Sequence, residues 1–163
     1  MPGPTEAEAY AVVVSREQGL WQLEQLPDDV ADDLEALVAA VRRSPGEEGA
    51  FALVDVADEF FVVVRVQQGR VRLLLSDVTA SAEWDLATQV VDELGLEIPR
   101  DDALDRVVPA GDLAVFDDLG VDGTEVAALL SDVDAYADEL LSALARRLGF
   151  ANAYERVVDA LVR

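Results

Sequence analysis

The sequence predicts an α+β fold, in which one antiparallel sheet of five strands is flanked by helices and followed by a C-terminal helical subdomain. Three observations support this prediction. The first half contains five short runs rich in Val, Phe and Leu that are separated by polar turns. Two intervening segments carry apolar residues at helical spacing, and residues 124–163 continue that spacing to the end. With 163 residues, 52% of them hydrophobic, the chain can bury a core without disulfides.

The first elements are a predicted hairpin and a helix. Residues 10–14 form a β-branched run, residues 20–24 alternate apolar and polar, and residues 16–19 supply the turn. Residues 1–8, which contain two prolines and a glycine, are predicted to be a disordered start. A helix is predicted to open at Pro27 and to run to Arg42 and Arg43, whose charges suit a helix C-terminus.

Three more strands and a second helix complete the predicted sheet domain. The strands cover residues 51–56, 60–66 and 70–76 and form a meander through two short polar turns. The helix covers residues 82–94, with Ser81 as its N-cap, Trp84 in the core and Gly95 as its stop. Arg65, Arg70 and Arg72 crowd around the second turn, and we interpret them as solvated residues on the outward face of the sheet.

The chain divides into a sheet domain at residues 9–96, a connecting segment at residues 97–123 and a helical subdomain at residues 124–163 that packs on the first. Prolines, glycines and aspartates interrupt the connecting segment, which is predicted to hold one short strand or helical turn. The helical subdomain should place Val133, Tyr136, Leu140 and Leu144 on one apolar stripe. Its last helix should begin at Asn152, after a stop at Gly149.

The resulting ββαβββα order is similar to that of longin and roadblock-like domains. This likeness concerns architecture and implies a role in binding a protein partner rather than a particular reaction. An exposed sheet edge in such a domain could accept a further strand, which gives a route to a homodimer.

Composition excludes several classes of function. The chain has 34 acidic and 12 basic residues, a net charge of −22, and neither histidine nor cysteine. It therefore cannot hold a Ser-His-Asp triad, a thiolate nucleophile or the usual zinc site of nitrogen and sulfur ligands. Its charge opposes direct binding to nucleic acid or an anionic membrane and favours a basic protein partner. Without a signal peptide or membrane span in its pattern, the protein is expected to be cytoplasmic.

No cofactor and no metal site is predicted. Acidic pairs such as Asp28-Asp29 and Asp117-Asp118 are interpreted as helix caps and solvated faces. A calcium loop that begins at Asp118 fails, because Gly120 and Leu129 fall where that motif needs an oxygen donor and a glutamate.

Four segments follow one another toward the C-terminus: Gly111-Asp112, Asp118-Leu119-Gly120, the acidic stretch at residues 132–139, and Arg147-Leu148-Gly149-Phe150. In this order and spacing they resemble the actinobacterial tRNA adenosine deaminase-associated proteins. The resemblance covers residues 10–150. It implies association with the enzyme that converts adenosine to inosine in tRNA. It does not imply that activity, because a zinc nucleobase deaminase needs His or Cys ligands that this chain lacks.

From the resemblance and the charge we expect a non-catalytic accessory or regulatory protein that acts through protein contact. The candidate partner-binding residues combine acids on the predicted long helix with two aromatic anchors: Asp132, Asp134, Tyr136, Asp138, Glu139 and Phe150.

Other interpretations stay open. The acids would also complement a helix N-terminus, and both aromatic residues would fit the core. Two other classes of function are a self-associating scaffold of roadblock type unrelated to tRNA and a carboxylate-dependent enzyme. The scaffold predicts a dimer with a continuous sheet, and the enzyme predicts a concave site whose two acids have separated pKa values.

Overall fold

The computed structural model describes residues 9–44, 49–97, 108–132 and 134–161. The predicted disordered start at residues 1–8 and Val133 lie outside these ranges. In the described part of the chain, the fold is α+β, as predicted. A six-stranded sheet lies between two layers of helices.

The sheet is antiparallel throughout and has the order β2-β1-β3-β4-β5-β6. Its first five strands confirm the predicted hairpin and meander. Most strand ends lie within one or two residues of the predicted positions. Short turns join β1 to β2, β3 to β4 and β4 to β5, and Gln18-Gly19 and Gln68-Gly69 lie in the left-handed region that such hairpin turns require. The strands are β1 Ala9–Glu17, β2 Leu20–Gln25, β3 Phe51–Val56, β4 Phe60–Gln67, β5 Arg70–Leu75 and β6 Ala110–Gly111.

Three helices cover one face of the sheet: α1 Asp28–Ala31, α2 Leu34–Arg43 and α3 Asp85–Glu93. The single helix predicted from Pro27 is wrong, because the Asp33 side chain accepts the N–H of Glu35 and starts a new helix there. Ser81 is likewise not the N-cap of α3. It lies in a 3₁₀ turn, Val78–Ala82, and α3 begins after Trp84, which is buried as predicted.

Three more helices cover the opposite face: α4 Gly123–Leu130, α5 Ala137–Leu148 and α6 Ala151–Leu161. Gly149 ends α5, as predicted, and does so with a left-handed backbone. Asp122 caps α4. The long helix starts later than its apolar spacing suggested, so Asp132, Asp134 and Tyr136 precede it.

Strand alternation divides the core into two clusters, one on each face of the sheet. One face presents Ala11, Val54 and Val62 to the first helical layer. The other presents Leu53, Phe61 and Val63 to the second, where they meet Leu141, Leu144 and Tyr154 of α5 and α6. Because both faces are buried, the C-terminal helices complete the core. Within the described ranges, every helix is too short or too polar to cross a bilayer.

The described part of the connecting segment holds the short strand β6 and a 3₁₀ turn, Asp117–Leu119. Arginine side chains from the sheet fix this segment, which corrects our interpretation of Arg65 as a solvated residue. Arg65 is fully buried, and its guanidinium donates to both carboxylate oxygens of Asp118, at 2.6 and 2.9 Å, and to the Val115 carbonyl at 2.6 Å. Arg72 donates to Asp112 at 2.6 Å.

Burial alone would raise the pKa of Asp118, but the hydrogen-bonded guanidinium of Arg65 outweighs it and holds that pKa below its usual value. The hydrogen bond to Asp112 raises the pKa of Arg72. Both arginines therefore serve as structural anchors, whereas Arg70 is exposed.

Candidate functional site

The start of α5 presents an aromatic side chain to solvent. Tyr136 is the residue immediately before the helix, and it is 63% exposed. Its backbone N–H donates to the Glu139 carboxylate at 3.1 Å, which is one half of a capping box. Glu139 thus fixes the backbone of Tyr136 while the ring stays free on the surface.

The turn between β3 and β4 accepts hydrogen bonds from the start of α5. The Asp58 carbonyl accepts the N–H of Ala137 at 3.2 Å, and the Asp58 carboxylate accepts the N–H of Asp138 at 2.8 Å. A residue distant in sequence therefore caps donors that α5 leaves unpaired at its N-terminus. Ala57 and Asp58 adopt φ values of +55° and +58°, a conformation uncommon for residues other than glycine. The contacts with α5 help to hold the turn in this strained form.

A buried polar cluster lies under the turn. Asp55 is 2% exposed and accepts the hydroxyl of Tyr10 at 3.1 Å and the N–H of Asp58 at 2.9 Å. Tyr154 of α6 places its hydroxyl 3.5 Å from that of Tyr10. Burial raises the pKa of Asp55 to about 7, although the hydrogen bond from Asp58 opposes the shift. Burial also raises the pKa values of both tyrosines.

The surface around Tyr136 is built from segments without a positive charge. Residues 50–64 contain three acidic side chains and residues 123–145 contain five, whereas neither segment contains a basic one. Burial raises the pKa of Asp58, and the nearby carboxylates of Asp138 and Glu139 add to the rise, although the hydrogen bond from the Asp138 N–H opposes it. This arrangement can attract a cationic surface and offer it one aromatic contact.

Five of the six predicted partner-binding residues lie on this side of the molecule and are exposed: Asp132, Asp134, Tyr136, Asp138 and Glu139. The alternative that placed Tyr136 in the core is wrong. The spacing to Leu140 was helical, but the helix begins only after Tyr136, and Ala137 takes the buried position instead.

Phe150 differs from the other five. It is 3% exposed, and its ring centroid lies 5.0 Å from that of Trp21 and 6.5 Å from that of Tyr154. Phe150 is therefore a core residue beyond the Gly149 cap. It cannot serve as a surface anchor in this conformation.

Sequence reasoning missed Asp55, Asp58, Tyr10 and Tyr154 as members of the site. One signal was present for Asp55: it is the single charge in an otherwise apolar strand, Phe51–Val56. A charge in such a strand is buried with partners or marks a solvated face. Nothing in the local pattern could show that α6 would cover it.

The cluster does not present a carboxyl group to a substrate. The two oxygens of Asp55 accept hydrogen bonds from Tyr10 and Asp58 inside the protein. A separate open groove of about 730 Å³ lies on the other side of the sheet, lined by Leu34, Val38 and Gln89 among others. Among the described residues, no group of three or more acidic side chains is placed to hold a metal ion.

Comparison with known proteins gives a family for this arrangement. The family model described as Rv3753c-like tRNA adenosine deaminase-associated protein matches residues 9–151. The curated Protein Rv3753c of Mycobacterium tuberculosis (strain ATCC 25618 / H37Rv) is 36% identical over 163 residues, which cover 99% of this chain and 94% of the relative. No solved structure matches the chain.

Proposed function

The chain belongs to the Rv3753c-like tRNA adenosine deaminase-associated protein family, and from this membership we propose that it is a non-catalytic accessory protein that binds the tRNA adenosine deaminase directly. The observation that carries the proposal is the exposed Tyr136, whose backbone Glu139 fixes at the start of α5 within an acidic stretch of the chain. Tyrosine is among the side chains that contribute most to protein interfaces.

The support of Tyr136 favours binding. Glu139 and Asp58 hold the helix start before any partner arrives, so little backbone ordering remains to be done on association. The four exposed acids nearby, Asp132, Asp134, Asp138 and Glu139, would form the polar rim around the aromatic contact.

The partner's chemistry gives the electrostatic reason. An enzyme that binds tRNA must present basic side chains to phosphates. A protein of net charge −22 is drawn to the same surface. The accessory protein would stabilise the free enzyme by covering this surface, and tRNA would displace it by competing for the same charges.

The absence of histidine and cysteine supports a non-catalytic role in deamination. The reaction needs a zinc-activated water and His or Cys ligands to hold the metal. This sequence supplies neither ligand type, so the catalytic centre would belong entirely to the partner.

The test is co-purification with the tRNA adenosine deaminase of the same organism, by size-exclusion chromatography with mass detection at low and moderate salt. We expect a stoichiometric complex that weakens as salt rises and dissociates when tRNA is added. Separate elution at both salt concentrations would overturn the proposal.

Two sets of variants locate the surface. Tyr136→Ala should weaken the complex at every salt concentration, whereas Asp132→Asn with Asp134→Asn should weaken it mainly at low salt. The matched control is Asp92→Asn with Glu93→Gln, which removes the same charge from exposed positions on α3, across the sheet. Equal weakening by both double variants would show that net charge, and not this surface, determines binding.

A further inference from the structure

We propose that β2 is a homodimer interface, at which two copies pair their edge strands antiparallel about a twofold axis through Leu23. In the described sheet, β2 pairs with β1 on one side only. The opposite edge is β6, which has two residues against the six of β2. An unpaired strand of this length is a template for another strand.

The backbone of β2 has groups that point away from the sheet. The Leu26 N–H bonds to the Ala11 carbonyl at 2.8 Å, which sets the phase of the β1–β2 ladder. Bonded and non-bonded pairs alternate along an antiparallel ladder. The N–H and C=O groups of Trp21, Leu23 and Gln25 therefore face outward, and no backbone group of another described segment bonds to them.

The edge lacks the usual protection against pairing. Natural edge strands carry lysine, proline or a bulge. Here the pairing with β1 runs from Val12–Gln25 to Glu17–Leu20 without a bulge, and β2 contains neither lysine nor proline. Its single charged residue is Glu24. Leu20, at one end of the strand, is 64% exposed.

One face of β2 is also free of helices. Leu20, Gln22 and Glu24 are all exposed, whereas Ala11 and Val13 of the adjacent strand are buried on that face by the first helical layer. On the other face, Trp21 and Leu23 pack against the second core. The sheet thus extends beyond its first helical layer at this edge.

The phase of the ladder limits the register of a dimer, and an axis through Leu23 is the one that gives three bonded pairs. Only residues with outward backbone groups can bond across the new boundary, so Trp21, Leu23 and Gln25 must face one another. An axis through Leu23 places it opposite the same residue of the second copy and sets Trp21 opposite Gln25, each pair exchanging both N–H···O bonds. Gln22 then faces Glu24, and no like charges lie directly opposite.

The second copy fits this edge because the strand is complementary to itself in that register. Net charge acts against association, since each copy carries −22. Screening should therefore strengthen the dimer as salt rises. The deaminase complex is expected to weaken with salt, so the two proposals fail or succeed separately.

The experiment measures the solution mass of the full chain by sedimentation equilibrium, at concentrations up to about 0.1 mM, where a dimer with a dissociation constant in that range is populated. We expect twice the chain mass of 17.6 kDa, with a dissociation constant that falls as salt rises. A monomer at every concentration and salt would overturn the proposal.

Variants at Gln22 test the register. Gln22→Lys creates an attractive pair with Glu24 of the second copy and should lower the dissociation constant about fivefold, whereas Gln22→Glu should raise it about fivefold. Ala128→Lys and Ala128→Glu make the same charge changes at an exposed position of α4 and should shift it little. A dimer that responds equally at both positions would place the interface elsewhere.

Gln25→Pro provides a second test. It removes an outward N–H and leaves the ladder to β1 intact, because Gln25 and Val12 form a non-bonded pair. The variant should keep the circular dichroism spectrum of the parent and lose the dimer. A folded Gln25→Pro protein that dimerises normally would contradict the proposal.

Discussion

The hydroxyl oxygens of Tyr10 and Tyr154 lie 3.5 Å apart, although 144 positions separate the two residues in sequence. Tyr10 belongs to β1 and Tyr154 to α6, so the contact joins the first described strand to the last helix. The Tyr10 hydroxyl also donates to Asp55, which extends the contact to β3. Three distant segments thus share one buried carboxyl group, and its protonation affects them all.

Stability should depend on pH through Asp55. Burial raises its folded pKa to about 7, above the ordinary value near 4. The folded state therefore binds the proton more tightly than the unfolded state, and the free energy of unfolding falls as pH rises from about 4 to about 7. Between pH 5 and pH 8, Asp55 should account for a fall of about 2 to 3 kcal/mol in the free energy of unfolding. Urea unfolding should show that this fall is absent in Asp55→Asn. Asp92→Asn, at an exposed position, should keep the parental slope, and a parental slope in Asp55→Asn would refute the assignment.

Removing Asp118 should destabilise the fold. Asp118→Ala leaves the fully buried side chain of Arg65 without its carboxylate and should lower the free energy of unfolding by about 2 to 3 kcal/mol. Unfolding in guanidinium chloride measures this loss. The cost is below that of a fully enclosed ion pair, because the Asp118 side chain is 37% exposed. Asp117→Ala is the control: its carboxylate is 55% exposed and 3.9 Å from Arg72, so its loss should cost under about 0.5 kcal/mol. Similar costs for both variants would show that the buried pair contributes little.

Alanine substitutions at two glycines should distinguish the cost of backbone strain from the cost of a steric clash. Gly111 and Gly120 have φ values of +99° and +93°, so alanine is strained at both. A Cβ at Gly111 would meet the Leu73 carbonyl oxygen, whereas one at Gly120 has open space around it. Gly120→Ala should cost about 1 kcal/mol, and Gly111→Ala should cost more and loosen β6. Thermal unfolding measures both, and an equal cost would mean that β6 shifts freely to admit the methyl group.

The two aromatic residues of the predicted partner-binding set should behave oppositely. Phe150→Ala removes a ring that packs on Trp21 and Tyr154 and should cost about 3 to 5 kcal/mol of stability. Tyr136→Ala removes an exposed ring and should change stability by less than about 0.5 kcal/mol. Chemical unfolding of both variants checks this contrast. A large loss in Tyr136→Ala would mean that its effect on binding reflects folding.

The strands could be predicted because their signals are local. Alternation and short turns predicted the ends of the first five strands to within a few residues of those in the structure. The helix boundaries were less accessible, since Asp32 and Asp33 can lie inside a helix or cap a new one. The capping hydrogen bond from the Glu35 N–H to Asp33 decides in favour of the second.

The errors at Arg65 and Tyr136 share one kind of cause. Alternation gave the correct face for Arg65, but that face is buried only because segments some 50 residues later cover it. Tyr136 matched the helical period yet lies outside the helix, because Asp58 and Glu139 fix the helix start at Ala137. Both outcomes depend on contacts between segments that a local pattern does not contain.

The two-sided core sets the order in which a growing chain becomes protected on the ribosome. When β5 has just been synthesised, Phe51, Leu53 and Phe61 already project from the second face, but the helices that cover them do not yet exist. A nascent chain at this stage exposes an apolar sheet, which is the kind of surface that chaperones recognise and that aggregates form through. The later segments cover this face in steps, with Phe116, then Leu141 and Leu144 of α5, and last Tyr154 of α6, so a chain that stops soon after β5 exposes the most apolar surface.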